Sequence, residues 1–317
     1  MKPTISIITP TYNRLHTLPR LWESLRQQTL ANFEWIVMDD GSSDGTGSWV
    51  KSLGDKRIVY HWGENRRMGY ARNRGMDRMR GTYVIFLDSD DEFYNNESLA
   101  IMVGAIQNAR SRVGRVIFPP VRDHHRHPAN KTIMLGYADY VCRTGVYLSI
   151  TPSAIAKRFP WQENFAASKV RDYDIARQYN YMFVNKKVWH YHHDFGETDA
   201  DNASALAGWV AQMPGMIDNV SLLLKKHKAV LLANCPCVYV GHCYGVAVFI
   251  LLTGTLRQHL RLPRLIGAVV RHGDWRVWVK TGFLLATLGL PQSWRVGVYR
   301  IRWRFRNRLK AKTGEGF

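Results

Sequence analysis

The 317-residue chain is poor in acids, in cysteine and in long apolar runs. Four cysteines exclude a disulfide-stapled scaffold and lead us to expect a reducing compartment. No uninterrupted apolar stretch reaches the ~18 to 20 residues of a spanning helix. The best, Gly245 to Leu256, falls short. The opening MKPTISIITPTYNR lacks the apolar core of a signal peptide, so a cytoplasmic protein is expected. There is no internal repeat and no low-complexity linker. With 46% apolar and 22% charged residues, the chain is neither disordered nor fibrous.

The shortage of acids is uneven. Overall 25 Asp and Glu face 44 Lys and Arg, a net charge of +19. Arg257 to Phe317 carries fourteen of those cations against only Asp274 and Glu315. A basic tail on a milder body suggests a polyanionic partner, either nucleic acid or an anionic membrane surface. The length allows one large or two small domains.

The first 90 residues alternate strand and helix patterns. Ile5 to Thr9 is a β-rich run closed by Pro10, and Leu18, Leu21, Trp22 and Leu25 follow at helical spacing. Phe33 to Val37 predicts a second strand ending at Asp39-Asp40, Ile58 to Tyr60 a third, Gly69 to Met79 a helix, and Tyr83 to Leu87 a fourth strand ending at Asp88. This alternation predicts an α/β fold with a mostly parallel sheet flanked by helices. Ligands in such sheets bind outside the carboxyl ends of the strands, where the polar clusters of this chain fall. From Ser98 to about residue 240 the elements are mixed, and Val170 to Tyr181 has helical spacing.

Asp88-Ser89-Asp90, with Asp91 and Glu92 adjoining, crowds carboxylates at one strand end. Hard oxygen ligands of this kind suit Mg²⁺ or Mn²⁺, and such an ion would bridge a diphosphate. Alone, the pattern is equally an acidic turn starting the next helix. Asp39-Asp40-Gly41-Ser42-Ser43-Asp44-Gly45-Thr46 alone is an ordinary turn and helix cap.

Together with Ser6-Ile-Ile-Thr-Pro-Thr-Tyr-Asn-Arg14, Asn65 and Gly69-Tyr-Ala-Arg-Asn-Arg-Gly75, and Phe86-Leu-Asp-Ser-Asp-Asp91, these segments are more specific. The sequence resembles the family 2 glycosyltransferases, inverting enzymes of the GT-A fold, with four motifs in family order over residues 4 to 92. The resemblance implies a nucleotide-sugar site in which Pro10, Thr11 and Tyr12 line the base pocket, followed by Arg14. Asp40 would bond the base and Asp88, beside Ser89, would approach the ribose. Asn65, Gly69, Arg72 and Asn73 would border the donor. Asp90 would hold the divalent cation, Mn²⁺ or Mg²⁺, and His192 is a second candidate ligand. Phe159-Pro-Trp-Gln-Glu163 is similar to the F-D-E segment, with Gln162 replacing the acid, and implies Trp161 and Glu163 on the acceptor side. Val170-Arg-Asp-Tyr-Asp-Ile175 is similar to the E-D segment whose Asp is the general base. Asp172 takes that position and Arg171 replaces the Glu. Helical spacing independently puts Asp172 on the stripe of Ile175 and Tyr179, with Asp174 on the opposite face.

Trp189-His-Tyr-His-His-Asp194 reads as a candidate metal or diphosphate contact or as a polar surface loop, and His124, His125 and His127 as a solvated loop. Cys235-Pro-Cys237 with His242-Cys243 has the wrong spacing for zinc, so buried thiols are expected. In the tail, Trp294, Val298, Ile301, Phe305 and Leu309 follow helical spacing, although Arg300 to Arg306 also alternates with period two. Tryptophans at 275, 278, 294 and 303 among the cations favour an interfacial membrane anchor over a packed basic subdomain.

The reading is a GT-A glycosyltransferase on the inner face of the cell membrane. It would pass a sugar, on UDP by resemblance, to a hydroxyl of a glycan or lipid-linked glycan in polysaccharide assembly. Residues 1–95 form the nucleotide-sugar half, 96–243 the acceptor half and 244–317 the basic, mainly helical region. A nucleotidyltransferase would need a Gly-rich, Lys-containing phosphate loop, which Thr9 to Arg14 lacks. A nucleic-acid-binding protein would leave the acidic clusters unexplained, so no nucleic-acid partner is expected.

Overall fold

The computed structural model describes residues 2–110, 112–121, 131–143, 145–163, 169–192, 199–253 and 261–272. The chain divides into two compact units, Met1–Phe195 and Gly196–Phe317, so the division falls earlier than the 243/244 boundary expected from composition.

The first unit is built on an eight-stranded sheet, β1 (Ile5–Thr11), β2 (Phe33–Asp39), β3 (Ile58–Trp62), β4 (Tyr83–Phe86), β6 (Val113–Phe118), β7 (Thr132–Leu135), β8 (Leu148–Pro152) and β9 (Asn180–Val184), in the order β3-β2-β1-β4-β8-β6-β9-β7. A two-stranded ribbon pairs β5 (Glu92–Phe93) with β10 (Trp189–His190). The first four strands are mutually parallel, as the alternation predicts. Beyond β4 the sheet is mixed, because β8 runs antiparallel to both β4 and β6. Every residue of β1 and β2 is buried, as expected of central strands covered on both faces. One face packs Ile5, Ile7, Trp35, Val37 and Ile85 against α1 (Leu18–Arg26) and α4 (Ser98–Gln107). There Trp22 stacks on Trp35 at 5.3 Å. The other face packs Ile8, Ile36, Met38 and Val84 against α3 (Met68–Arg78). Gly75 permits that close approach, since a Cβ there would lie 2.5 Å from Ile8 Cγ2.

The remaining helices of this unit are α2 (Thr46–Ser52), α5 (Tyr137–Val141), α6 (Ser153–Arg158) and α7 (Lys169–Ala176). The helical pattern read over Val170 to Tyr181 is therefore only partly helix. It stops at Ala176, and the β-prone run Tyr181-Met-Phe-Val184 pairs with both β6 and β7.

The second unit contains α8 (Asp199–Asn234), α9 (Pro236–Thr253) and α10 (Leu262–His272). Its core joins Ile217, Val246, Val248, Ile250 and Leu262. Among the described residues no helix is long and apolar enough to cross a membrane. Cys243 is a buried free thiol as expected and Cys237 an exposed one, whereas buried Cys235 is disulfide-bonded, as is Cys142, against the expectation of free thiols.

Candidate active site

The chain enters the sheet at β1, winds outward through β2 and β3, and returns to β4 on the other side of β1. That reversal opens a crevice at the carboxyl ends of β1 and β4. Thr11 ends β1 opposite Asp39 of β2, and Asp39 stands opposite Trp62 of β3. Leu87, just past β4, bonds Ile8 through its backbone N–H, so the Asp88 to Asp91 turn emerges beside the end of β1.

The loops on the β1–β2 side lock each other. The Asn13 N–H donates to Ser42 Oγ at 2.9 Å, and Ser43 N–H donates to Asn13 Oδ1 at 2.9 Å. Arg14 and Leu15 N–H groups reach Thr46 Oγ1 (3.3 Å) and Asp44 Oδ2 (3.0 Å). Asp39 accepts from Ser42 N–H (2.8 Å) and Tyr60 OH (2.7 Å). Asp40 accepts backbone N–H bonds from Arg66 and Arg67, both 2.8 Å, and so fixes the loop that carries Asn65 and leads to Gly69 at the start of α3. Burial pushes the Asp40 carboxyl up against those two bonds. Gly41, at φ +92°, sits where a Cβ would lie 3.2 Å from Asn65 N. Pro10 and Thr11 are buried, Tyr12 is half exposed, and Thr11 Oγ1 is buried with no hydrogen-bond partner among the described residues.

On the β4 side, buried Arg72 of α3 donates through Nη2 to Asp88 Oδ1 at 2.6 Å. Asn73 clamps the Trp161 backbone, accepting from its N–H (2.8 Å) and donating to its carbonyl (3.0 Å). The same amide lies 3.5 Å from Glu163 Oε1. The backbone carbonyl of Asp90 accepts from Arg20. Asp91 is buried, and that burial together with the charges of Asp88 and Asp90 pushes its carboxyl up to about 9. His192 donates its backbone N–H to Asp91 Oδ1 (3.1 Å), while its ring Nε2 lies 2.9 Å from Glu92 Oε1. The ring expected on the metal is thus engaged by Glu92, because the β5–β10 ribbon sets His190 opposite Glu92 and brings His192 alongside. His193 and the 124–127 histidines lie outside the described residues, as does the tail from 273.

Among the described residues no group of three or more His, Cys, Asp and Glu side chains is arranged around a common metal position. The chemistry of the turn still fits a hard divalent cation: Asp88, Asp90 and Asp91 are adjacent carboxylates that repel one another, with one identified guanidinium on Asp88.

Asp172, on the first turn of α7, is partly exposed. Its Oδ1 is paired with Arg115 of β6, and Tyr140 OH lies 3.4 Å from its Oδ2. Tyr181 OH donates to the Asp172 carbonyl at 2.7 Å. Arg115 is wholly buried, also bonds Thr151 Oγ1 (3.1 Å), and is held charged chiefly by Asp172 against the cost of burial. Neither Arg115, Tyr140 nor Tyr181 stands out in the motifs. The one available signal for Arg115 is a lone cation in the apolar strand Val-Gly-Arg-Val-Ile-Phe. The neighbouring Arg171 lies over the Trp161 ring at 4.6 Å, and Arg72 lies over the same ring at 4.4 Å. A continuous chain, Asp88–Arg72–Trp161–Arg171–Asp172, therefore joins the β4 turn to α7.

The model of the family described as "Glycosyl transferase family 2" matches residues 6–168, more than half of the chain. The chain belongs to glycosyl transferase family 2. Proteins similar to it include the glycosyltransferase GlyA of Streptococcus pneumoniae, 42% identical over 89 residues covering 27% of this chain and 13% of GlyA. The GalNAc(5)-diNAcBac-PP-undecaprenol beta-1,3-glucosyltransferase of Campylobacter jejuni is 38% identical over 104 residues, 32% of this chain and 34% of that protein. The match thus spans about a third or less of these relatives' length. Among solved structures, TarS 1-349 of S. aureus in complex with UDP-GlcNAc superposes with TM-score 0.55 at 18% identity, covering 86% of this chain and 82% of that one. The mannosyltransferase PcManGT of Pyrobaculum calidifontis, in complex with GDP-Man and Mn²⁺, gives 0.53 at 14% identity, covering 100% and 89%. At these identities the likeness shows the fold, which is GT-A.

Proposed function

We propose that this family 2 member moves a sugar from a nucleotide-diphosphate sugar, with inversion, to a hydroxyl of a glycan or lipid-linked glycan in polysaccharide assembly. The side-chain chain from Asp88 to Asp172 carries the reading, because it sets a candidate base next to a crevice fit for a nucleotide diphosphate. The base pocket is Pro10, Thr11 and Tyr12, together with Arg14 and Asp40; the Thr11 hydroxyl there is buried with no hydrogen-bond partner among the described residues. Asp40 fixes the loop bearing Asn65 and Gly69, Arg72 holds Asp88 for the ribose beside Ser89, and Asn73 holds Trp161 and Glu163 toward the acceptor. UDP is the proposed carrier, supported by the nucleotide in the TarS complex.

In transfer, the Asp172 carboxylate takes the proton of the acceptor hydroxyl as its oxygen attacks the anomeric carbon, and the nucleoside diphosphate leaves from the opposite face. Arg115 orients that carboxylate and leaves Oδ2 turned toward Tyr140. A divalent cation would be held by Asp90 with Asp88, and when bound it supplies charge neutralisation to the departing diphosphate. The His192 ring, engaged by Glu92, supports the turn from behind.

The test is a panel of UDP- and GDP-sugars with Mn²⁺ and a bacterial lipid extract. Nucleoside diphosphate should be released from at least one UDP-sugar, and release from none of them would end the reading.

We further propose residence at the inner face of the membrane through the region from 244 onward. Arg264 and Arg271 of α10 are exposed, while its apolar Leu262, Leu265, Ile266 and Val269 pack inward. The attraction is thus chiefly electrostatic on the described part. The chain should sediment with phosphatidylglycerol vesicles at low salt and be released by raised salt or by truncation at 244. Equal sedimentation after truncation would remove the idea.

A further inference from the structure

Arg171 is a costly side chain to bury. It is fully buried on α7, and Nη1 and Nη2 both lack a hydrogen-bond partner among the described residues. Only Nε is satisfied, donating to the Phe159 carbonyl at 2.6 Å. Among the described residues its nearest carboxylate, Asp172 at 3.9 Å from Nη1, is beyond hydrogen-bond reach and already taken by Arg115. Burial, with Arg115 and Arg72 nearby, pulls its guanidinium down to about 9. The rings of Phe86 (5.2 Å) and Trp161 (4.6 Å) supply cation–π contacts, which stabilise a cation but satisfy none of its N–H groups. A glutamate stands at this position in the family segment that the sequence resembles, so the chain has placed a buried cation where an acid would be expected.

An unfilled, planar fork of donors beside the candidate base has an evident complement. We infer that Arg171 receives the carboxylate of a uronic-acid sugar, donating from Nη1 and Nη2 to its two oxygens. A carboxylate matches the fork in plane and spacing, as a single neutral hydroxyl does not. The sugar end of the crevice, beyond Asp88 and next to Asp172, is where such a group would arrive. Trp161 stands over the guanidinium and is only half buried. Its indole N–H also lacks a partner among the described residues, so the ring gives up no hydrogen bond in yielding to a ligand. Donor and acceptor sugars present the same carboxylate chemistry to this fork, and the two arms of the test distinguish them. The inference rests on the donor reading above and names the substrate class of that site.

The test is titration of the full chain with Mn²⁺ present. UDP and GDP serve as controls for the donor site. UDP-glucuronate is compared with UDP-glucose and GDP-mannuronate with GDP-mannose for the donor arm. Methyl glucuronoside is compared with methyl glucoside on the nucleotide-loaded chain for the acceptor arm. In one arm the acidic sugar should bind about ten- to a hundredfold more tightly than its neutral counterpart, the value of charge-assisted bonds to one carboxylate. Arg171→Met, which fits the apolar surroundings, should abolish that preference and leave UDP or GDP affinity unchanged. Arg171→Lys should restore part of it. If a nucleotide binds and neither acidic sugar is preferred, the inference is overturned, and the wild-type comparison decides this even if no variant folds. A preference that survives Arg171→Met overturns it equally. Equal loss of turnover on every donor without any such preference would make Arg171 a positioning residue for Asp172. Failure of both nucleotides to bind would bring down the donor reading first, and the inference with it.

Discussion

Asp172→Asn should lower sugar transfer by about 10²- to 10⁴-fold while leaving donor affinity intact, the cost of losing a positioned general base. The variant has a second consequence that must be separated from the first. Arg115 is wholly buried, and Asp172 is its charge partner. Removing that charge leaves an uncompensated buried cation, which destabilises a fold by roughly 3 to 5 kcal/mol when the pair is fully buried and by less here, where Asp172 is partly exposed. The double variant Arg115→Met with Asp172→Asn resolves the ambiguity. If the carboxylate only balances Arg115, the double variant regains both thermal stability and turnover. If it is the base, stability returns and turnover does not. Asp174→Asn and Glu163→Gln, in the same assay, should cost little. The bland alternative, a carboxylate stabilising the first turn of α7, is worth at most about 1 kcal/mol and would leave turnover unchanged. A large loss confined to Asp174→Asn or Glu163→Gln would assign the base elsewhere.

The parts of this fold that sequence pattern reached are those whose cause is local. β1, β2 and β4 are runs dominated by apolar residues, interrupted by Ser6, Thr9 and Glu34 and followed by acids or turn formers, the pattern of strands buried on both faces. Helix α3 was legible from its spacing. The insertion of β8 antiparallel between β4 and β6 was not, because neighbour order is set by pairings between segments tens of residues apart. The same limit explains the over-long helix: Tyr179 continues the stripe of Ile175, but the strand partners of Tyr181 lie on β6 and β7 and leave no trace in local spacing. At the site, residue types identified the acids without revealing which were already committed. Asp40 is engaged by backbone 26 and 27 residues away, Asp172 by an arginine 57 residues away, and the His192 ring by Glu92 at a separation of 100. Motifs mark where polar groups gather. Their division between holding the scaffold and meeting a ligand is decided by tertiary contacts.

Asp90→Asn should reduce transfer by about 10³-fold and abolish the Mn²⁺ dependence of donor binding, since neutralising a leaving diphosphate supplies several kcal/mol of barrier lowering. The choice of Asp90 follows from its place in the Asp88-Ser89-Asp90 motif, whose last acid holds the cation by resemblance. Asp88 is bonded to Arg72, so part of its charge is already balanced. Asp91 is buried and turned toward the His192 backbone. Asp90 is partly exposed, its backbone held by Arg20, on the turn that emerges beside the end of β1. Asparagine keeps the size and the carbonyl oxygen but removes the charge, so the change tests cation binding rather than packing. Donor titrations with and without EDTA give the direct readout: the wild type should lose affinity on chelation and the variant should not respond. Asp88→Asn should behave differently, because it also leaves buried Arg72 without its carboxylate and should lower thermal stability as well as affinity. If Asp90→Asn kept wild-type turnover in EDTA, the metal assignment would be wrong. If it kept Mn²⁺-dependent binding while Asp88→Asn lost it without loss of stability, the ion would rest on Asp88 instead.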